Sequence, residues 1–166
     1  QVKGSIVRGI LPDQEDKVAD FRKTIQSGSL DDLRPGEFGV VLGSDLARSL
    51  RVFTGDKVTL IAPQGTVTPA GVVPRLKQMT VAGTFNSGHY EYDSALVLLH
   101  IEDAELIFRL EGPTGVRLRL ADLHQARDVA QQLAATLSGN LLIRDWTQQN
   151  STWFSAVQLE KRMMFI

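Results

Sequence analysis

The chain has 166 residues, of which 43% are hydrophobic and 22% are charged. This size and composition are typical of a soluble globular protein with one large or two small domains. The formal net charge is -1 and no predicted face collects lysine and arginine, so a nucleic-acid partner is not expected. The absence of cysteine excludes disulfides and thiolate metal sites, but it does not indicate a compartment.

The two ends of the sequence carry no complete membrane or export signal. There is no apolar run of about 18 residues, and the start, QVKGSIVRGI, lacks the apolar core and cleavage site of a signal peptide. The chain stops at MMFI, where a helical segment becomes wholly apolar. Two interpretations stay open on this pattern alone: a plain helix end, and a helix that continues into a bilayer.

Hydrophobic periodicity and turn residues predict the elements that precede residue 57. In chain order they are a strand over 2–10, a helix with Val18, Phe21 and Ile25 on one face that ends at Ser27-Gly28, a strand over 38–42, and a helix over 45–50 with Ser44 as its N-cap.

Residues 58–85, VTLIAPQGTVTPAGVVPRLKQMTVAGTF, form the most informative segment. Two strands are predicted here, joined by a tip of about a dozen residues, although hairpin loops usually have about two to five. The tip is apolar, and Pro63, Pro69 and Pro74 stiffen it without offering backbone donors to other strands. The pattern therefore predicts a projecting arm for a partner, and the alternative is an ordinary mobile loop.

A second unit is predicted after the breakers Glu111-Gly112-Pro113, which divide the chain into residues 1–112 and 113–166. Its two strands and one helix are too few to be stable alone, so a partner is expected, with a homodimer through an exposed sheet edge as one possibility.

The elements predicted after residue 85 are a loop at 86–88, a strand over 95–101, a helix over 103–110, a strand over 116–120, a helix with Leu123, Ala126, Ala130, Leu133 and Leu137 on one face, a strand over 141–143, and a helix from 148.

In chain order, the sequence contains the segments PGEFGVVLGSDLARSL, GDKVTLIAP, TPAGVVP, VAGTF, EYDSALVLLHIEDA and RDWTQQNSTWFSAVQLEKRMMFI. In order and spacing, these segments resemble the periplasmic domain of the lipoprotein-releasing ABC transporter permeases LolC, LolE and LolF. The resemblance implies an α+β fold of the MacB-like type, with a β-rich subdomain over 1–112 that carries a long protruding hairpin at about 58–84. It also implies a smaller, membrane-proximal, porter-like βαβ subdomain over 113–166 that leads to a transmembrane helix, and a missing upstream half.

The same resemblance implies a function in binding, without catalysis or cofactors, at the periplasmic face of the Gram-negative inner membrane. A soluble domain of a multi-pass permease would recruit the chaperone LolA and hand over lipoproteins for sorting to the outer membrane. The resemblance also implies a LolD-like ATPase and a partner permease. ATP hydrolysis is expected on a separate subunit, since the phosphate-binding pattern GxxxxGK[ST] does not occur in this sequence. The implied LolA-binding "hook" comprises Pro63, Val67, Thr68, Pro69, Ala70, Gly71, Val72, Val73 and Pro74, and the adjacent "pad" comprises Thr59, Arg75, Leu76 and Lys77.

Two other functions are alternatives. One is a MacB-like domain that transmits motion to an efflux partner, which would not need a proline-rich hook. The other is a periplasmic hydrolase with Ser94 and His100, which is disfavoured because the two residues lie roughly 20 Å apart along one extended strand. Asp93 is interpreted as a turn-former rather than a catalyst.

Three smaller patterns have competing interpretations. His89 and Glu91 resemble a metal-binding pair, but no third ligand has suitable spacing, so a solvated turn is favoured. The tyrosines in GHYEYD fit a recognition patch or, as we favour, the covering of a strand end. Trp146 and Trp153 fit a lipid-interface belt and simple packing about equally well.

Overall fold

The computed structural model describes residues 1–149 of the chain. The chain divides into two compact units, the first spanning Gln1–Arg117 and the second beginning at Leu118. The α+β class predicted from the sequence is confirmed, since helices accompany a six-stranded mixed sheet.

All six strands belong to the first unit. Its elements are β1 (Ile6–Ile10), α1 (Pro12–Glu15), β2 (Ile25–Gly28), β3 (Gly39–Gly43), α2 (Ser44–Leu50), β4 (Lys57–Thr68), β5 (Gly71–Phe85), α3 (Tyr90–Ala95), β6 (Leu96–His100) and α4 (Ile101–Phe108), with 3-10 turns at Phe21–Thr24 and Leu30–Asp32. The described part of the second unit contains a 3-10 turn at Leu123–Gln125, α5 (Ala126–Thr136) and α6 (Trp146–Gln149).

The strand order is β1-β6-β3-β5-β2, and β4 pairs with β5 outside this path. β1 runs parallel to β6 and β3 runs parallel to β5, whereas the β3–β6, β2–β5 and β4–β5 pairs are antiparallel. The C-terminal part of β5, from Thr80 to Phe85, lies between β3 and β2. Its N-terminal part, from Gly71, pairs with β4 alone among the described strands. The β4–β5 hairpin is therefore an extension of an interior strand beyond the sheet.

The sheet has a hydrophobic core on each face. β3 and β6 are buried at every position, which explains why their sequences are continuous apolar runs rather than alternating ones. Successive side chains of a strand point to opposite faces, so each of these strands contributes to both cores. One core contains Val40, Leu42, Leu46, Ala47, Met79, Val81, Val97, Leu99, Ala104 and Ile107. The other contains Ile10, Leu30, Leu33, Val41, Phe85, Leu96 and Leu98.

The predicted helix with Val18, Phe21 and Ile25 on one face is wrong. Helix α1 ends at Glu15, Phe21 begins a 3-10 turn, and Ile25 begins β2. Phe21 and Ile25 do pack against the second core, and the Phe21 ring contacts the Phe85 ring edge-on with centroids 5.3 Å apart. The local pattern therefore identified buried residues, but pairing of β2 with β5 determines their backbone conformation.

Other predicted elements of the first unit are confirmed with shifted ends. The strands predicted over 38–42 and 95–101 correspond to β3 and β6. Ser44 is the first residue of α2 rather than its cap, because Gly43 occupies the cap position. Helix α3 was not predicted, since its sequence, YEYDSA, has no helical stripe of apolar residues.

The second unit only partly matches the prediction. The predicted helix is α5, but no strand follows His100 within residues 101–149, so the strands predicted over 116–120 and 141–143 are absent from that range. The apolar side chains in those stretches, including Val116, Leu118, Leu141 and Leu142, are exposed. Two isolated strands with no third strand to join are not expected to be stable in water, which accounts for the difference. A homodimer through a sheet edge stays a prediction.

None of the helices in residues 1–149 is long and apolar enough to cross a membrane. The last predicted helix begins with α6, and its remainder, with Trp153 and the MMFI end, lies outside the described residues.

A buried ion pair attaches the end of the first unit to its beginning. The Glu15 carboxylate is 3% exposed and accepts hydrogen bonds from Arg117 Nη2 at 2.6 Å and 2.5 Å. Burial, followed by the nearby positive charge of Arg117, lowers the pKa of Arg8. The positive charge of Arg117 thus offsets the free-energy cost of burying the Glu15 carboxylate.

A second buried carboxylate fixes the entry to β3. Asp103 in α4 is fully buried, and its two oxygens accept hydrogen bonds from Gly36 N at 2.7 Å and Phe38 N at 3.1 Å. Phe38 has φ +52, a left-handed conformation that is unfavourable for a bulky residue. Asp103 therefore holds a strained loop through contacts separated by more than 60 residues in sequence.

We expect Asp103→Ala to lower the free energy of unfolding by about 2–4 kcal/mol, because two buried N–H donors lose an anionic acceptor. Urea denaturation followed by circular dichroism measures this change. Asp103→Asn keeps one acceptor oxygen and should lose less. Equal midpoints for the wild type and the alanine variant would contradict the proposed role of this carboxylate.

Candidate partner-binding hairpin

The β4–β5 hairpin turns at Pro69-Ala70, between the paired residues Thr68 and Gly71. The predicted tip of about a dozen unstructured residues is therefore wrong, because both strands continue almost to the end. Proline at the second position and glycine at the fourth suit a type I turn, and Gly71 has φ +121, which an L-residue rarely adopts. Thr68 Oγ1 also donates to Gly71 O at 2.8 Å, which closes the turn.

A bulge interrupts the pairing halfway along the hairpin. Regular pairing stops at Ala62 opposite Arg75 and resumes at Thr66 opposite Val73, so residues 63–65 face Pro74 alone. Prolines are tolerated at such a point because their missing N–H is not needed by the partner strand. A methyl group added at Gly65 would collide with the Val73 carbonyl oxygen. We call residues 63–74 the distal hairpin, and the paired segments 57–62 and 75–80 the proximal hairpin.

The proximal hairpin has an outer and an inner face, because residues directly opposite each other share a face. The outer face carries the pair Lys57–Thr80 at the end nearest the sheet, followed by Thr59–Gln78 and Ile61–Leu76. The last four residues are all exposed, with Ile61 47% and Leu76 66% exposed. The inner face lies toward the core of the unit and carries the pairs Val58–Met79, Leu60–Lys77 and Ala62–Arg75.

The distal hairpin presents apolar side chains to solvent. Val67 is 81% exposed, Val72 opposite it is 62% exposed, and Val73 is 53% exposed. Of the nine predicted hook residues, Thr68 is half-buried and the rest are exposed. No charged residue occurs between Val58 and Pro74. An exposed, uncharged apolar surface of this kind is typical of a protein–protein contact.

The four predicted pad residues do not form one surface. Thr59 and Leu76 lie on the outer face, whereas Arg75 and Lys77 lie on the inner face. Lys77 Nζ sits 3.8 Å from the centroid of the Phe38 ring, a cation–π contact. Arg75 Nη1 donates to the Ile107 carbonyl oxygen of α4 at 2.9 Å.

The outer face includes two residues that the sequence reasoning missed. Ile61 and Gln78 stand opposite Leu76 and Thr59, and together these four side chains form a continuous exposed surface of two apolar and two polar groups. The sequence signal for them is that successive side chains of a strand point to opposite faces, so residue 76 lies on the opposite face from residues 75 and 77.

The edges of the hairpin are poorly suited to accept a further strand. Pro63 lies in β4 and Pro74 in β5, so each strand has a position without a backbone donor. The hairpin is accordingly expected to bind through side chains rather than by strand addition.

The residues of the hydrolase alternative do not assemble into a catalytic site. Ser94 lies in α3 and His100 at the far end of β6, where its Nδ1 accepts a hydrogen bond from Glu102 N at 3.2 Å and caps α4. The buried carboxylate of Asp93 accepts three hydrogen bonds from the loop at Ser87-Gly88. This confirms the interpretation of Asp93 as a turn-forming residue.

The smaller sequence patterns also have structural positions. Tyr90 and Tyr92 belong to α3 rather than to a strand end, and the Tyr92 ring contacts His89 with centroids 6.1 Å apart. Residues 1–149 hold no group of three or more side chains that could ligate a metal ion. Trp146 Nε1 donates to the Leu123 carbonyl oxygen at 2.7 Å, within the second unit.

Comparison with known proteins identifies the relatives of this chain. It is 46% identical over all of its length to a lipoprotein-releasing system transmembrane protein LolC of Neisseria meningitidis, covering 40% of that protein. It is 43% identical over 98% of its length to a LolC of Xylella fastidiosa, covering 39% of it. A LolE of Haemophilus influenzae is 27% identical over 96% of the chain and is covered for 38% of its length. No family model matches the chain.

By sequence, the chain belongs to the family of lipoprotein-releasing system transmembrane proteins. The relatives with 43% to 46% identity are those named LolC. The chain spans about two fifths of the length of these curated relatives.

We expect Gly65→Ala to open the distal hairpin, because the added methyl group collides with backbone on the opposite strand. Overpacking of this kind costs about 1–3 kcal/mol. We therefore expect amide hydrogen-exchange protection to fall roughly tenfold or more for residues 66–73, with no change in β3 and β6. Gly112→Ala is the matched control, since nothing lies within 4 Å of an added methyl group there. Unchanged protection in the hairpin would show that the close approach at Gly65 is not required.

Proposed function

We propose that this chain is the periplasmic part of an inner-membrane ABC transporter permease, and that its hairpin recruits the chaperone LolA and hands over lipoproteins for outer-membrane sorting. The single observation that carries the proposal is the exposed, uncharged valine surface of the distal hairpin, held outside the sheet by the extension of β5. The names of the relatives support the lipoprotein-releasing context. We include in this proposal the MacB-like fold that the resemblance implies.

The distal hairpin has the physical properties that a transient docking element needs. Burial of Val67, Val72 and Val73 would contribute about 1.5–3 kcal/mol for each side chain. Loss of translational and rotational freedom offsets much of that gain, so the three valines alone support only weak binding, and micromolar affinity requires further contacts. The prolines and the two-residue turn limit the conformational freedom of the arm, which reduces the entropy lost on binding. Such an arm can bind and still release its partner.

The hairpin suits a chaperone with an apolar, concave binding surface better than an acidic partner. The distal hairpin has no charge, and the adjoining outer face adds Thr59, Ile61, Leu76 and Gln78, with the charged Lys57 at the end nearest the sheet. Predicted basic contacts from the pad are directed to the inner face instead. We therefore extend the proposed contact from the hook to the outer face.

The remaining partners belong to the whole permease. A LolD-like ATPase would hydrolyse ATP and a partner permease would complete the transporter, while this chain acts as a binding domain without catalysis. The alternative is a MacB-like domain that transmits motion to an efflux partner. Transmission of motion would need a rigid connection but no exposed apolar tip. The exposed valines therefore favour chaperone binding over motion transmission.

We expect the double variant Val67→Ser/Val72→Ser to bind purified LolA at least about tenfold more weakly than the wild type, because two apolar side chains no longer lose water on binding. Isothermal titration calorimetry with the 166-residue chain measures this affinity. Val116→Ser is the matched control, since Val116 is 85% exposed and lies outside the hairpin. Equal affinities for all three proteins would refute the hook as the docking surface.

A further inference from the structure

We propose that Arg75 is a positioning residue, which attaches the base of the distal hairpin to the C-terminal end of α4, and not a contact residue for the partner. This inference rests on the proposed function of the hairpin as a docking arm and assigns a role to one residue within it. The observation is the hydrogen bond from Arg75 Nη1 to the Ile107 carbonyl oxygen at 2.9 Å.

The position of Arg75 along the hairpin suits this role. It pairs with Ala62, which is 1% exposed, and this is the last regular pair before the bulge. Nearer the sheet, Met79 is buried and Lys77 lies over the Phe38 ring. Beyond the bulge, the valines of the distal hairpin are exposed. Arg75 is therefore at the boundary between the packed and the exposed parts of the arm.

The electrostatics of α4 favour a cation at this point. The last carbonyl groups of a helix lack intrahelical donors and carry partial negative charge, so a positive side chain there is stabilising. Helix α4 has Glu102 and Asp103 in its first turn but no basic residue in its last turn. The C-cap residue Arg109 follows the last turn, and Arg75 supplies from a neighbouring strand a cation that is hydrogen-bonded to a carbonyl within that turn.

The guanidinium is also poorly placed to meet a partner. Arg75 Nε is buried, and no hydrogen-bond acceptor for it occurs among the described residues. The side chain belongs to the inner face, opposite the exposed surface of Ile61 and Leu76. A residue that contacts a chaperone from the outer side would not bury its donors against the protein's own helix.

A distance measurement tests the positioning role directly and without a partner. The chain has no cysteine, so spin labels can be placed at Thr66→Cys in the distal hairpin and Arg48→Cys on α2, both exposed sites. Pulsed electron spin resonance then reports the distribution of distances between them. We expect Arg75→Ala to broaden this distribution, and Arg75→Lys to restore much of its sharpness, because an ammonium group can still donate to the carbonyl. Arg34→Ala, which removes an exposed arginine, is the control.

The outcome that overturns the proposal is a distribution as narrow in Arg75→Ala as in the wild type. This result would leave the hook hypothesis intact, since the valine substitutions test that hypothesis separately. Thermal unfolding of each variant separates a local effect on the hairpin from a loss of the whole fold.

Titration of LolA at several salt concentrations provides the second readout. A positioning residue predicts that Arg75→Ala weakens binding by about twofold to fivefold, the range for a cation at a helix end, with an unchanged dependence on salt. A direct contact with an acidic partner predicts instead that the salt dependence becomes smaller, and this would refute the proposal.

Discussion

Strand β5 is the element on which the rest of the structure depends. Its C-terminal part is enclosed by β3 and β2, with Val81 and Phe85 fully buried, while its N-terminal part leaves the sheet as one arm of the hairpin. The direction of the arm is thus set by the hydrogen bonds and packing of the core. Because the strand is continuous, the hairpin cannot tilt at its base without disturbing side chains on both faces of the sheet. The continuity of β5 therefore sets the direction of the arm where it leaves the sheet, and the Arg75–Ile107 contact lies further along it.

The chemistry of the hairpin changes stepwise with distance from the sheet. On the inner face the apolar pair Val58–Met79 comes first, followed by the cations Lys77 and Arg75. The bulge with its two prolines follows, and exposed valines lie beyond it. Each step solves a different problem: anchoring, orientation, protection of the strand edges and contact with a partner. Exposed apolar side chains next to free strand edges would favour aggregation, and the prolines reduce that hazard while they stiffen the arm. The same prolines therefore limit strand addition and stiffen the arm.

The sequence predicts the parts of the fold that depend on local chemistry. The apolar runs of β3 and β6 are recognisable because every position is buried, and α5 is recognisable from the helical spacing of its apolar residues. The helix predicted through Phe21 and Ile25 fails because β2 obtains its partners from β5, far away in sequence. The predicted long tip fails because pairing resumes beyond a bulge at residues 63–65, and such a bulge accommodates proline without loss of a needed donor. The roles of Asp103 and Arg75 depend on contacts across more than 30 residues, which no local pattern contains.

The chaperone-docking and force-transmitting functions place different demands on the same fold. Transmission needs a stiff path from α4 to the arm, and the Arg75–Ile107 contact together with the continuity of β5 provides one. Docking needs an exposed apolar end, which the valines provide. A hairpin that is fixed to α4 would move with α4, so a shift of the helix in a transporter cycle would displace the docking surface along with it. The base of the hairpin therefore meets the demands of both functions, and the exposed valines beyond the bulge are the feature that only docking requires.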